Sequence, residues 1–339
     1  MTPRERVIRA IGHRETDMIP YSIGLTPGAR ENLERYTGDS GFDREWIPHM
    51  HSCMYEAWPT KVPGMEGYFK DEFGVVHNRT MDEREWGVIE SRLVDFEDNR
   101  YVFPALDENR WRGDLEYMLG NRGDNFTFAS LGCSLYERAW TLAGMENLLV
   151  AMVQYPSQLH ELLDRICDRN MRVIEIALEY DVDGFYFGDD WGSQRGLIMN
   201  SDHWRVYIKP RVKRMYGLVK KRGKYVLHHS CGNIEAIMRD FIDIGCDCYE
   251  TFQPELYDFP KMKREYGGDI TFWGGISVQQ LLPHGTPQQV RDETVRTMRL
   301  MGKGGGYIAA PTHGITRDVP PENILAMADV FANQSKHGI

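Results

Sequence analysis

The sequence predicts an α/β fold of the (β/α)8 TIM-barrel type, and three observations carry that expectation. From about residue 126 onward one pattern repeats: a short β-rich apolar run, a polar turn, an amphipathic helix. The apolar runs are nearly unbroken rather than alternating, as parallel strands covered on both faces require. No glycine-rich nucleotide fingerprint follows any of them, which disfavours the doubly wound open sheet.

In chain order, "MIPYSIG" (18–24) reads as the first strand. Residues 25–125 break the pattern: "GYFKDEFGVVHNRT" reads as a β-hairpin, and the rest is rich in aromatics, acids and prolines. No Ser/Gly-rich linker flanks this stretch. It is expected to be an irregular elaboration over one barrel face, within a single domain spanning 1–339. "FTFASLG" (126–132) is the next strand and precedes a long helical region to Tyr180. "VDGFYFGDDW" (182–191) precedes a helix opening at Ser201, whose hydroxyl is a natural N-cap. "KYVLHHSCG", "CDCYETFQPE" and "DITFWGGIS" are strands, each followed by a helical stretch. After the third of them, Thr286, Pro287 and Gln289 form a capping box with proline at the first helical position. "GYIAAPTHG" precedes the last helix, "PPENILAMADVFANQ". Seven strands are located in this way; the eighth is not.

Composition bounds the function. With 40 basic against 50 acidic residues, the formal charge of −10 argues against nucleic acid or an anionic membrane as partner. No apolar run approaches the ~18 residues of a membrane span. The opening "MTPRERVIRAIGHRETD" has no signal-peptide core, and the six cysteines have no disulfide-framework spacing. A cytoplasmic enzyme is the expected class.

Catalytic residues of such barrels lie at the C-terminal ends of strands, and here those ends are polar. Asp189, Asp190, Trp191 and Gln194 follow one strand; His229 and Cys231 follow the next. Gln253 and Glu255, then Trp273, Ser277 and Gln279, then Thr312 and His313 follow the others. Strand side chains alternate with period two, so His229 and Cys231 share a face while His228 and Ser230 take the other. Two donors cannot complete a tetrahedral zinc site, and Glu255 and His313 are the candidates to join them. An H-x-C pair is also what a buried thiol and a carbonyl-bonded histidine look like, so the motif alone leaves metal binding open. Asp189 and Asp190 are candidate acid–base or substrate-bonding carboxylates, with helix-entry acids as the alternative. Trp191 and Trp273 are expected as pocket walls with Gln194 nearby. Cys246 and Cys248 are expected in the core, and His284 in solvent.

Taken together, "TPRERVIRAIGHRETDMIPYSIG", "GDDWGSQRGLIMNSDHW", "HHSCGN", "FWGGIS", "GTPQQV" and "THGITRDVPPENI" resemble successive blocks of the uroporphyrinogen decarboxylase superfamily. The resemblance covers nearly the whole chain and implies a barrel with its site in the mouth. True decarboxylases of this kind carry an Arg-Gln-Ala-Gly-Arg block; here that place reads "SIGLTPGARENLERY", with one isolated Arg30. The chain is more similar to the zinc-dependent, corrinoid-linked methyltransferases, whose H-x-C-G-N motif is matched by His229, Cys231, Gly232 and Asn233. Glu255 falls at their acidic ligand, and His313 replaces their last-block cysteine. An imidazole in place of a thiolate makes a bound zinc a stronger Lewis acid, suited to methyl groups carried on oxygen. The implied reaction moves a methyl group from a small donor, such as an aryl methyl ether, to the Co(I) corrinoid of a separate protein. In it Asp190 and His313 act as catalytic groups, and Asp189, Trp191, Gln194 and Trp273 bind substrate. A D-x-H-x-x-G corrinoid motif is not found in the sequence. The alternatives are a metal-independent decarboxylase or other lyase, and a non-catalytic scaffold.

Overall fold

The computed structural model describes residues 1–55, 60–80, 88, 89, 92–98 and 100–339. The rest of the expected elaboration over 25–125 lies outside the described residues. The main sheet has seven strands: β1 (Met50–Tyr55), β2 (Phe126–Leu131), β3 (Gly184–Gly188), β4 (Tyr225–His229), β5 (Cys248–Phe252), β6 (Thr271–Ile276) and β7 (Tyr307–Pro311). Their order across the sheet is their order along the chain. Pairs β3–β4, β5–β6 and β6–β7 are parallel, and helices connect them, as repeated βαβ crossovers demand. The fold is α/β and of the barrel type that the repeating pattern predicts.

Two positions differ from the sequence reading. "MIPYSIG" contributes an isolated parallel bridge, Tyr21 to Ala309, instead of a full strand. Pro20 has no N–H to offer a ladder; its carbonyl accepts from Ala309 and Ser22 donates to the Ala309 carbonyl. The strand that the sequence did not reveal is β1, "MHSCMY", where His51 and Ser52 interrupt any apolar run. At the helix after β3 the cap is Asn200 and not Ser201: the Asn200 side chain accepts from the Asp202 N–H, and Ser201 is the first helical residue. The Thr286 capping box forms as expected.

By compactness the chain divides into two units. One comprises 1–51, 120–128 and 246–339 and contains β5, β6 and β7. Its core includes Phe272, Met298, Tyr307 and Phe331, with the expected Cys246 and Cys248. The other comprises 52–119 and 129–245 and contains β3 and β4, packed through Phe185 and Phe187. It also holds a small antiparallel sheet of Thr60–Lys61, Tyr68–Lys70, Val76–Asn78 and Val88–Ile89, whose middle pair is the predicted hairpin. Among the described residues no helix is long and apolar enough to cross a membrane.

Candidate functional site

The ends of β3 and β4 carry the densest chemistry of the second unit. Alternation along β4 separates its two histidines as the sequence predicts. His228 is fully buried: its Nδ1 lies 2.7 Å from the Tyr216 hydroxyl, and its ring stacks on Trp191 at 4.3 Å. Burial, aided by neighbouring His229, lowers its pKa to about 3, so it is a neutral core residue. His229 faces the other way, with Nε2 3.4 Å from Cys231 Sγ and 3.3 Å from Asp190 Oδ1. Nitrogen at about 2.0–2.1 Å and sulfur at about 2.3 Å around a tetrahedral zinc lie roughly 3.6 Å apart. The His229–Cys231 separation therefore fits two ligands of one ion.

The two strand-end loops are laced so that this pair is held. Asp189 N–H donates to the His229 carbonyl at 3.0 Å, and Asn233 N–H to the Ser193 carbonyl at 2.9 Å. Trp191 N–H donates to Ser230 Oγ at 2.9 Å, and Cys231 N–H to Asp190 Oδ1 at 2.6 Å. Such contact requires two glycines. A Cβ on Gly232, whose φ is +80°, would lie 2.2 Å from the Gly192 carbonyl carbon, and one on Gly192 would lie 2.6 Å from that of Gly232.

Asp189 and Trp191, expected at the substrate, have other occupations. Asp189 is fully buried at the entry of the Tyr136–Ala143 helix. Its Oδ1 accepts from Leu135 N–H (3.2 Å) and Glu137 N–H (2.8 Å), and its Oδ2 from Tyr136 N–H (2.9 Å) and the Trp191 indole (2.7 Å). Four donors fill the acceptor sites of the carboxylate and leave none for a ligand. Burial pushes its pKa up to about 6 against the pull of these donors, so it is ionised at pH 7. Trp191 is likewise fully buried, edge-on to Trp204 and Phe241. The aromatic that stays half-exposed beside the pair is Tyr186, its ring 6.4 Å from that of His229. Gln194 is exposed between the short strands Gly192–Ser193 and Gly196–Leu197.

The sequence reading missed Glu137. It stands in the first turn of the Tyr136–Ala143 helix, and its carboxyl accepts from the Asp190 N–H. Burial pushes that carboxyl well above its usual range, Asp190 and Asp189 push the same way, and His229 pulls it down. A readable signal existed: an acid one turn into the helix that follows a strand end.

Glu255, Trp273 and His313 belong to the first unit. Glu255 is exposed and accepts from the Ser277 hydroxyl, which itself accepts from Gln280 N–H at 2.9 Å. Trp273 is largely buried, with its indole donating to Ser22 Oγ at 2.9 Å. His313 is exposed just beyond β7. A cavity of about 620 Å³ in this unit is lined by Pro254, Ser277, Gln280, Leu281 and Arg296 among others, and not by Trp273 or His313.

The family pattern of uroporphyrinogen decarboxylase (URO-D) matches residues 132–334. A uroporphyrinogen decarboxylase of Pseudoalteromonas translucida is 29% identical over 185 residues, covering 52% of this chain and 48% of that protein. A methylated-thiol–coenzyme M methyltransferase of Methanosarcina mazei is 24% identical over 186 residues, covering 55% of this chain and 47% of that one. The chain spans about half the length of these curated relatives. A solved methyltransferase from Methanosarcina mazei shares the fold with a TM-score of 0.73 at 16% identity, covering 99% of both chains.

Proposed function

On the premise that the chain belongs to the uroporphyrinogen decarboxylase family, we propose that it is a zinc-dependent methyltransferase. It moves a methyl group between a small methylated donor, such as an aryl methyl ether, and the Co(I) corrinoid of a separate partner protein. The observation that carries this reading is the 3.4 Å approach of His229 Nε2 to Cys231 Sγ at the end of β4. A methyltransferase among the relatives supports it.

His229 and Cys231 hold the metal in this reading, and His313 is the candidate that the sequence offers as a further ligand. Glu255 remains a candidate for the fourth position if it gives up Ser277. Bound zinc supplies a Lewis acid that stabilises negative charge on the leaving oxygen. Asp190 is the acid beside the pair: its bond to Cys231 N–H orients that ligand, and its 3.3 Å contact with His229 Nε2, the atom that would face the metal, gives way when the ion binds. Trp273 and Gln194 contribute to the substrate wall, and Tyr186 takes the place expected of Trp191. The donor and the corrinoid protein are the partners of this reading, which needs neither nucleic acid nor a membrane.

Metal-independent decarboxylation is the second reading, favoured by the names of most relatives. A substrate rich in carboxylates needs an arginine clamp, and Arg30 gives its guanidinium to Asp43 at 2.7 Å and to the ring of Phe42. Metal analysis of the purified protein separates the two. One zinc per chain is expected, lost in the His229→Ala/Cys231→Ala double variant. A chain that takes up no zinc when supplied with it, yet turns over substrate, would sink the proposal.

A further inference from the structure

The small antiparallel sheet of the second unit is joined to the metal-binding loop by a set of polar contacts that starts fully buried at Asp71 and passes along the chain from Arg138 to Glu137. Asp71 lies in the turn between Tyr68–Lys70 and Val76–Asn78. Its Oδ1 accepts from Val75 N–H at 2.9 Å; its Oδ2 accepts from Arg138 Nη1 at 2.8 Å and faces His77 Nε2 at 3.2 Å. The side chains of Asp71 and His77 are wholly buried, and that of Arg138 is 4% exposed. The Arg138 guanidinium also lies over the ring of Phe73, 4.1 Å from its centroid. Hydrophobic residues of equal volume would hold this hairpin at least as well, so stability alone does not account for a buried ion pair. What a directional pair adds is a register, and Arg138 is the residue after Glu137.

From Glu137 the contacts continue without a break. Its N–H donates to Asp189 at 2.8 Å, its carboxyl accepts from Asp190 N–H, and Asp190 accepts from Cys231 N–H at 2.6 Å. Apart from the peptide link between Glu137 and Arg138, each step is a hydrogen bond. We propose that Asp71 is a positioning residue for the His229–Cys231 pair, acting through Arg138 and the Tyr136–Ala143 helix. The role rests on the metal reading above, and it gives the irregular insertion a task at the site.

The test compares Asp71→Asn with Glu72→Gln. Glu72 is the neighbouring residue and also bonds an arginine, Arg169 at 2.8 Å, and its carboxylate meets Tyr55 and Arg169 but neither Arg138 nor the Tyr136–Ala143 helix. Zinc affinity is measured by competition with a chelator. In a Cys53→Ser background, the rate of Cys231 alkylation by iodoacetamide is measured on metal-free protein. Asp71→Asn is expected to weaken zinc binding about tenfold, the low end for outer-shell changes, and to speed alkylation at least threefold. Glu72→Gln is expected to change either by less than twofold. Equal effects of the two variants, or no effect of Asp71→Asn, overturns the proposal. Should Asp71→Asn fail to fold, the Asp71→Asn/Arg138→Gln double variant leaves no unpaired charge, and the same readings decide. If the wild type binds no zinc, the metal reading falls, and the alkylation rates still decide whether Asp71 sets the position of Cys231.

Discussion

Asp189→Asn separates a helix-capping role from a substrate-binding one. The carboxylate receives four N–H donors, three from Leu135, Tyr136 and Glu137 and one from the Trp191 indole. An asparagine of the same shape has one carbonyl, so its amide N–H₂ must face two of those donors in either orientation. Losing two charge-assisted bonds costs about 3–6 kcal/mol. Against this, the neutral amide avoids burying a charge. The rise of the carboxyl to about 6 from its ordinary 3.8, against the pull of these donors, puts that relief at no less than about 3 kcal/mol. The net expectation is a loss of up to about 3 kcal/mol, a fall in Tm of up to roughly 4 °C for a chain of 339 residues. Thermal unfolding followed by near-UV circular dichroism reads it, and the KM of the methyl donor should stay within about twofold. A variant as stable as the wild type with a KM raised tenfold would show that Asp189 meets the substrate, and would refute the capping role.

His49 is buried against Tyr21, and burial, with Arg6 nearby, lowers its pKa from 6.5 to about 4. The unfolded chain therefore takes up a proton that the folded chain resists, and stability is lost as the pH falls from 6.5 to 4. Between pH 7 and pH 4 urea titrations should show about 3 kcal/mol more loss for the wild type than for His49→Gln. Equal slopes would put His49 in contact with water. Gly232→Ala should cost at least 2–3 kcal/mol and lower zinc content, because its methyl group meets the Gly192 backbone. Gly217→Ala, inside the Lys209–Lys221 helix with nothing within 4 Å of the new methyl group, should instead stabilise by about 0.5–1 kcal/mol.

Most strands were legible because both faces of a parallel strand are apolar, which leaves a run that a window can find. β1 was not, since His51 and Ser52 break it. Capping boxes are short and chemically specific, so Thr286 was readable, whereas Asn200 and Ser201 are adjacent residues of equal capping power. Within the site, period-two alternation sorted His228 from His229 correctly. It could not sort Asp189 from Asp190, because both lie beyond the last strand residue, Gly188, where alternation no longer holds.

Adjacent carboxylates at that strand end thus divide two tasks, and the division is set by what each faces. Asp189 meets the N-terminus of a helix, where three backbone N–H groups converge on a fully buried site. Asp190 meets the glycine-punctuated loop of β4, with a third of its side chain open to solvent. Its bond to Cys231 N–H leaves it beside the thiol without being spent on the fold. Two acids so close repel; Asp189 is relieved by its four donors, and burial with both aspartates pushes Glu137 toward its neutral form, so the exposed negative charge beside the pair rests on Asp190. A cation held by His229 and Cys231 would relieve that charge in turn. The acid-rich surroundings of the pair are therefore what a site built for a divalent ion needs, and what a site for a polyanionic substrate would have to avoid.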